Sequence, residues 1–323
     1  MKRHVIIAVV VLSAAAGIGM LHAGDTGRGG AAGSFLRMGL GARAMALGGG
    51  SVAMQNEAYA LYYNPAGLVF LAKRYATTSL NTMSLDRYTF YAGYAQAVGG
   101  NKKGLPRVGL SAGWLSAGVT DIDGRDFNGS HTAMYSSSEN AFFFSFAFHP
   151  LPVLALGLTG KILYHIFPGI IETGESMSAT GVGVDIGLLF RPFSFLSAAF
   201  VIKDIQEKYT WDSQGLYEQG TQTVDRLPSA LRGGVAGTFW KDRITAFVDV
   251  EKTEAWPVVF SGGIEVQPMD GFWLRGGLWK RQITLGGGYR FHLWQIGTQL
   301  DYAYVPDTIT PRGNHVFSWS FIF

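Results

Sequence analysis

The sequence predicts an all-β protein: a transmembrane antiparallel outer-membrane β-barrel of about 14 strands with a small N-terminal plug or hatch segment. Three observations predict this fold class. Only 15% of the 323 residues are charged, against roughly 25% in an average soluble domain. Apolar residues alternate with small or polar ones along most of the chain, as in strands that face lipid on one side. The glycine-rich stretch from Gly33 to Ala72 fits neither a strand nor one uninterrupted helix.

The chain divides into three predicted parts. Residues 1–23 begin with Lys2 and Arg3, continue as an apolar run and end on a small residue, which is the pattern of a cleaved secretory signal peptide. An uncleaved membrane anchor is the alternative, because the run is near the minimum length that spans a bilayer. Residues 24–72 are the predicted plug or hatch segment, and residues 73–323 are the predicted transmembrane β-barrel.

The charge balance argues against a nucleic-acid partner. The formal net charge is +3, but removing Lys2 and Arg3 from the 26 basic residues leaves 24, against 23 acidic ones. No cluster of basic residues with interleaved stacking aromatics remains in the mature sequence. The sequence contains no cysteine, which excludes disulfides, thiolate metal sites and a cysteine nucleophile.

Period-two patterns recur from Tyr75 onward. Near the C-terminus, for example, Ile283 and Leu285 share one strand face, while Thr284 and Gly286 share the other. We predict strands near residues 75–83, 87–97, 107–119, 139–149, 153–166, 177–191, 194–205, 229–239, 243–251, 257–267, 271–279, 282–291, 294–304 and 314–323.

The connections between these strands predict the orientation in the membrane. An even strand number places both termini on the periplasmic side of a multi-pass outer-membrane barrel. The long connections, near 120–138, 167–176, 206–228 and 305–313, then all fall on the outer side, whereas the inner connections are mostly short turns. Short inner turns and long outer loops are the rule for such barrels, whose partner on the outer wall is membrane lipid.

The last predicted strand ends the chain with aromatic residues on one face. These residues are Phe317, Trp319, Phe321 and the terminal Phe323. We interpret them as an assembly signal for the barrel-assembly machinery. The alternative is an ordinary apolar edge strand, although an uncovered aromatic edge would promote aggregation in a soluble protein.

The face opposite the lipid carries charges of both signs. The predicted lumen charge network consists of Asp185, Arg232, Arg243, Asp249, Glu265, Arg275, Arg290 and Asp301. Charges in a confined lumen should pair with one another or with a plug. We expect Arg37, Arg43 and Glu57 to provide the plug's contacts. The alternative places the segment in the periplasm as a small cap.

Two motifs with known chemistry are better explained as strand or plug sequence. The G-x-G-x-x-A pattern that begins at Gly39 has neither a preceding buried strand nor a following βαβ unit, as a dinucleotide site requires. The G-x-S-x-G pattern around Ser111 lies within an alternating strand, not at a strand-to-helix turn. The histidines show no zinc-like spacing. We therefore predict a protein that is not an enzyme and has no cofactor and no metal.

The first and last parts of the mature chain resemble the PorV/PorQ family of outer-membrane proteins, within the wider FadL-like barrels. The matching motifs are FLRMG from Phe35, GARAM from Gly41, ALYYNPAGL from Ala60 and DYAY from Asp301. The resemblance implies a fourteen-stranded barrel with an N-terminal plug. It also implies a hatch motif, which we place at Arg37, Gly41, Arg43, Asn64, Pro65, Ala66 and Gly67.

The resemblance implies two functions. The main hypothesis is a non-enzymatic adaptor in type IX-like secretion, which binds secretion or surface-attachment proteins through the loops near 120–138 and 206–228. Tyr209, Trp211 and Tyr217 could anchor such a partner, or they could belong to an interfacial aromatic girdle. The alternative is a FadL-like passive transporter whose ligand is a hydrophobic small molecule. A mainly structural barrel is a third hypothesis.

Overall fold

Antiparallel strands make up most of the chain in the computed structural model. The structure describes residues 31–55, 57–99, 107–171, 174–214, 219–254, 256–307 and 310–323. The predicted signal peptide therefore lies outside the described residues, as does the start of the predicted plug segment. Among the described helices, none is long and apolar enough to cross a membrane.

Fifteen strands are present in the described part of the chain. They are β1 (Tyr75–Thr82), β2 (Arg87–Val98), β3 (Val108–Arg125), β4 (His131–Leu151), β5 (Leu154–Phe167), β6 (Met177–Phe193), β7 (Leu196–Asp212), β8 (Gln222–Arg226), β9 (Ala230–Phe239), β10 (Ile244–Thr253), β11 (Val259–Met269), β12 (Phe272–Trp279), β13 (Gln282–Leu293), β14 (Ile296–Pro306) and β15 (Gly313–Ile322).

Fourteen of these strands close into a ring, which confirms the predicted antiparallel β-barrel. Strands β1 to β7 pair in chain order, β7 continues to β9, and β9 to β15 complete the ring by pairing β15 with β1. The remaining strand, β8, pairs with the last residues of β7. Strands β8 and β9 both pair with β7, and residues 227–229 interrupt the strand between them. The alternative of an edge strand at the C-terminus is wrong, because β15 is paired on both sides.

The two faces of the wall differ as the alternation predicts. On β13, Ile283 is 67% exposed and Leu285 is 56% exposed, whereas Thr284 between them is fully buried. Phe317, Trp319 and Phe323 of the last strand are also exposed on the outer wall, while Phe321 is half-buried there. An apolar outer band of this kind is typical of strands that face lipid. Recognition of these aromatics by assembly machinery stays a prediction.

The barrel is much taller on one side than on the other. Strands β3 to β7 have 14 to 21 residues, whereas β10 to β15 have 8 to 12. The predicted extents of two outer loops are therefore wrong, since strand pairing continues through much of 120–138 and 206–228. Tyr217 lies outside the described residues. We call the end of the barrel that carries these two loops the long-loop end, and the opposite end the short-turn end.

The N-terminal segment, residues 31–72, contains only short helices. Two are 3₁₀-helices, at Ser34–Arg37 and Pro65–Phe70, and two are α-helices, at Ala42–Ala46 and Ala60–Tyr63. Helices this short are not stable alone in water, so their conformation depends on packing against the rest of the protein. The contacts of the segment therefore decide its position.

Candidate functional site: the N-terminal segment and its charge clusters

The N-terminal segment packs against the inner faces of strands on both sides of the ring. Its apolar side chains are almost completely buried, with Phe35, Leu61 and Leu68 at most 1% exposed. One group of them packs with side chains of β2 to β7, and another, around Met45, packs with Ala303, Val305 and Val316 on β14 and β15. The segment therefore occupies the interior between opposite walls.

Two wall glycines allow the backbone of the segment to approach closely. A Cβ atom on Gly277 would lie 2.2 Å from the backbone nitrogen of Gly48, and one on Gly157 would lie 2.3 Å from that of Ala66. Side chains at these wall positions would displace the segment, so glycine is required for this contact. The two glycines lie on β12 and β5, on opposite sides of the ring.

The Asn-Pro-Ala motif forms a turn that is tied to the wall. The Asn64 side-chain oxygen accepts a hydrogen bond from the backbone N–H of Ala66 at 3.0 Å and thereby caps the following 3₁₀-helix. Its side-chain nitrogen donates to the carbonyl oxygens of Val52, at 2.8 Å, and Leu188, at 3.3 Å. One side chain therefore joins the turn to the rest of the segment and to β6.

A lysine surrounded by carboxylates lies on the inner face of β5 to β7. The Lys161 ammonium is 2.8 Å from a carboxylate oxygen of Asp185 and 2.7 Å from one of Glu207, and it also contacts Asp204. All four side chains are at most 2% exposed. Charges this deeply buried depend on one another for stability, because they are shielded from bulk solvent.

The same cluster receives one residue from the segment. Arg37 forms an ion pair of 3.1 Å with Asp204, and the Lys203 ammonium lies 4.2 Å from the Tyr62 ring centre. Lys203 also interacts electrostatically with Asp185 and Asp204. We call Arg37, Lys161, Asp185, Lys203, Asp204 and Glu207 the Lys161 cluster. It contains three cations and three carboxylates, so its formal charges balance.

A backbone irregularity in β7 assembles this cluster. Asp204 and Gln206 both have positive φ angles, of 58° and 51°, and the pairing of β6 with β7 shifts register nearby. The backbone N–H of Asp204 donates to the Asp185 carboxylate at 2.8 Å. Bulges re-aim side chains, and here neighbouring residues Lys203 and Asp204 both reach the lumen.

A second cluster runs along the opposite wall as a chain of paired side chains. Arg43 of the segment contacts Glu57 at 3.1 Å and Glu265 at 2.8 Å. Arg275 continues the chain by contacting Glu265 and Asp301, each at 2.6 Å. Gln299 then donates to Asp301 at 2.9 Å and accepts from Arg290 at 2.7 Å. We call these seven residues, Glu57, Arg43, Glu265, Arg275, Asp301, Gln299 and Arg290, the Arg43 cluster.

A smaller contact holds the middle of the segment. The Ser51 hydroxyl and the Val52 backbone N–H donate to the two oxygens of Asp249, at 2.7 and 2.9 Å. Arg232 pairs with the same carboxylate at 3.0 Å and also donates to the Gly50 carbonyl oxygen. Asp249 is therefore satisfied jointly by the wall and by the segment.

One predicted network residue lies elsewhere. Arg243 immediately precedes β10 at the short-turn end, where it pairs with Asp270 at 3.1 Å and is 42% exposed. Its assignment to the lumen network is wrong, because a residue at a turn does not follow the inward period of the strand. The sequence analysis in turn missed Lys161, Lys203, Asp204 and Glu207.

An outer depression and a lumen cavity lie on different faces of the wall. A depression of about 510 Å³ lies on the outer wall over β13 to β15 and β1, among lipid-facing side chains such as Tyr289 and Trp319. A smaller cavity, of about 170 Å³, lies inside the barrel between the segment and the wall. We base no site on the outer depression, because most of its lining consists of side chains on the outer wall.

Other candidate chemistry is absent from the described part of the chain. The Ser111 hydroxyl donates to the Tyr94 carbonyl oxygen at 2.8 Å within the sheet, and no strand-to-helix turn presents it. Among the described residues, no group of three or more His, Asp or Glu side chains could hold a metal ion.

Solved structures with the same architecture include a toluene transporter, a FadL homologue and a monoaromatic hydrocarbon channel. The toluene transporter TodX of Pseudomonas putida has a TM-score of 0.64 and 15% identity, over 88% of this chain and 99% of that chain. A FadL homologue of Pseudomonas aeruginosa has a TM-score of 0.59 and 14% identity, over 87% of this chain and 97% of that chain. The chain shares the fold of these proteins.

A third similar structure is CymD, a monoaromatic hydrocarbon channel. It has a TM-score of 0.58 and 13% identity, over 88% of this chain and 97% of that chain. No protein-family model and no curated protein sequence matches this chain. At these identities the likeness concerns the fold, and the function has to be argued from the site.

Proposed function

We propose that this protein is a passive outer-membrane transporter of small hydrophobic molecules, in which the N-terminal segment is a movable plug. The observation that carries the proposal is the position of the segment between opposite walls, because a molecule crossing the lumen would have to displace it. The fold supports the proposal, since TodX and CymD are a toluene transporter and a monoaromatic hydrocarbon channel.

An aromatic group near the long-loop end is suited to receive such a molecule. The Trp211 ring lies 5.1 Å from the His165 ring and 5.9 Å from the Phe167 ring, measured between centres. Tyr209 is 5.7 Å from His165 and hydrogen-bonds to Glu139 at 3.1 Å. Aromatic side chains offer large apolar contact areas for a hydrocarbon. We therefore assign Tyr209 and Trp211 to the lumen entrance and not to a partner-binding loop.

The charge clusters would remain partly paired if the plug moved. Without Arg37, Asp204 still contacts Lys161. Without Arg43, Glu265 still contacts Arg275, and without Ser51 the Asp249 carboxylate still contacts Arg232. Removing a partner from a buried charge is costly only when the charge is left unpaired. Each of the three wall carboxylates that the segment contacts therefore keeps a cation from the wall, which lowers the cost of displacing the plug.

A reversible cross-link between plug and wall tests the proposal. The natural chain has no cysteine, so introduced pairs are the only thiols. Ser51→Cys with Asp249→Cys replaces two side chains that are in hydrogen-bond contact, and loss of free thiol on oxidation establishes that the disulfide has formed. The matched control, Thr82→Cys with His315→Cys, joins two exposed positions that face each other on paired wall strands and leaves the plug unattached.

We expect oxidation of the plug-to-wall pair to reduce uptake of radiolabelled toluene by whole cells to the level of cells lacking the protein. Reduction with dithiothreitol should restore uptake in the same cells, and the wall-to-wall control should take up toluene in both states. Equal uptake by the oxidised and reduced plug-to-wall variant would contradict a movable plug.

The secretion-adaptor hypothesis rests on the motif resemblance alone. The structures found by similarity are channels and a FadL homologue, and they support the transporter alternative. The PorV/PorQ assignment, the periplasmic position of both termini and binding to secretion proteins stay predictions.

A further inference from the structure

The Arg43 cluster ends at the short-turn end on a guanidinium that lacks a carboxylate partner. Arg43 and Arg275 each contact two carboxylates. Arg290, the last member, donates from Nε and Nη2 to the Gln299 side-chain oxygen, at 3.1 and 2.7 Å. No ion pair of Arg290 is present in the described part of the chain. Acid and base alternate along the cluster, and the next group in that order would be an anion.

Two contacts hold the Arg290 side chain in one orientation. Its guanidinium carbon lies 5.0 Å from the centre of the Trp273 ring, and Gln299 is itself fixed by hydrogen bonds to both oxygens of Asp301. A guanidinium stacked on an indole stays charged and keeps its in-plane donors available. Its Nη1 group is therefore suited to pair with a ligand.

The lumen cavity of about 170 Å³ adjoins this guanidinium. Besides Arg290, its lining includes the aromatic side chains of Tyr59, Tyr75 and Trp273. It also includes five charged side chains that pair with one another, Arg43, Glu57, Glu265, Arg275 and Asp301. Its volume is below the roughly 300 Å³ of pockets for drug-sized ligands, so only a small molecule fits. The charges of the lining balance formally, but the exposed Arg290 is the arginine of the lining that makes no ion pair in the described part of the chain. Together with the aromatic rings it suits a ligand with one negative charge and a compact apolar body.

We propose that this cavity binds a small organic carboxylate of about the size of benzoate. Its carboxylate would pair with Arg290, and its apolar body would lie against Trp273 and Tyr59. The site extends the ligand class beyond neutral hydrophobic molecules to those that carry an acid group. Only the arrival of the ligand through the lumen rests on the proposed function; the binding itself does not.

Equilibrium binding of radiolabelled benzoate to the purified full-length protein in detergent micelles tests the proposal. We expect saturable binding, weakened about tenfold in Arg290→Gln, because a charge-assisted pair is replaced by a neutral contact. Arg290→Lys should bind with intermediate affinity, since it keeps the charge but loses the planar donor pair. Arg243→Gln is the matched control: it removes an arginine from the same end that does not line the cavity, and benzoate affinity should be unchanged.

Three competitors define the chemistry of the site. Hexanoate should displace benzoate, whereas inorganic phosphate and toluene should each compete poorly, because one lacks an apolar body and the other lacks the charge. Benzoate binding of equal strength in wild type and Arg290→Gln would overturn the proposal, as would equal competition by phosphate. Heat-modified gel mobility establishes that each variant is folded, and Trp273→Phe, which keeps Arg290, should weaken benzoate binding if Arg290→Gln does not fold.

The benzoate-binding measurement and the toluene-uptake test can contradict their two proposals independently of each other. Absence of benzoate binding together with a working plug cross-link would overturn only the carboxylate site. Benzoate binding together with toluene uptake that ignores the cross-link would overturn only the movable plug.

Discussion

The two sides of the lumen hold the N-terminal segment with clusters of different construction. The Lys161 cluster takes five of its six residues from three adjacent strands, and its central four side chains are at most 2% exposed. The Arg43 cluster takes two residues from the segment, is spread over four wall strands and borders a cavity. The first therefore stabilises mainly the wall, and the second mainly the position of the segment.

The charges left behind by the segment also differ. Loss of Arg37 would leave two lysines facing three carboxylates in the Lys161 cluster, a net charge of −1. Loss of Arg43 and Glu57 together removes a neutral pair, and Arg275 and Arg290 then balance Glu265 and Asp301. The wall on the Arg43 side therefore stays closer to charge balance without the segment than the wall on the Lys161 side.

The largest expected effect comes from removing the central lysine. Lys161→Met leaves three buried carboxylates near one another, and we expect a loss of about 3–5 kcal/mol in the free energy of unfolding. Urea unfolding in lipid vesicles, followed by heat-modified gel mobility, measures this loss. Lys208→Met, on the exposed face of the same wall, is the control and should change stability little. Equal stability of the two variants would contradict the role of the Lys161 cluster in the wall.

The next effect compares the two arginines of the segment. Arg43 makes three hydrogen bonds to carboxylates, whereas Arg37 makes one, besides its bonds to carbonyl oxygens. We expect Arg43→Gln to destabilise docking of the segment by about 2–4 kcal/mol and Arg37→Gln by about 1–2 kcal/mol. Hydrogen exchange of peptides from residues 31–72, read by mass spectrometry, reports both values.

An exposed arginine provides the control for that comparison. Arg125 also pairs with a carboxylate, that of Asp123, but both side chains are well exposed, so Arg125→Gln should leave exchange of the segment unchanged. Faster exchange in Arg37→Gln than in Arg43→Gln would contradict the expectation that Arg43 holds the segment more strongly than Arg37.

The smallest effects come from the glycines beneath the segment. Gly157→Ala and Gly277→Ala place a Cβ atom against the segment backbone, and each should loosen the nearer half of the segment by about 1–3 kcal/mol. Gly160→Ala, on the same strand as Gly157, meets nothing within 4 Å, and Gly276→Ala meets only an ordinary contact at 3.7 Å. These two controls should leave hydrogen exchange of the segment unchanged. If all four variants behave alike, the close approach seen at Gly157 and Gly277 does not hold the segment.

The sequence predicts the barrel wall well because the pattern that defines a strand can be read over a few neighbouring residues. Alternation of lipid-facing and lumen-facing residues identifies all fourteen strands of the ring, most of them to within two residues at each end. The main errors concern β3, β4 and β7, where pairing continues beyond the apolar band into polar sequence. Polar strands outside a membrane have no hydrophobic signal, so the sequence there resembles a loop.

The candidate site is only partly predictable for a related reason. Regular strands brought Glu265, Arg275 and Asp301 into the predicted network. Lys203, Asp204 and Glu207 escaped because β7 is irregular at Asp204 and Gln206, which breaks the period of two. Lys161 follows the inward period of β5, and the sequence analysis overlooked it. The charged run from Lys203 to Lys208 was the available signal. A run of charges that interrupts an apolar strand indicates a bulge as well as a loop.

The closure of the ring has a consequence for how the protein folds. The backbone groups of Arg74 and Phe323 hydrogen-bond to each other, at 3.0 and 3.3 Å, and Tyr75 pairs with Ile322. The seam thus joins the first strand to the last, so the ring cannot shut until the whole chain has been delivered. Contacts between such distant residues form slowly. Because the N-terminal segment contacts both sides of the ring, its full set of contacts can form only once the seam has brought those two sides together.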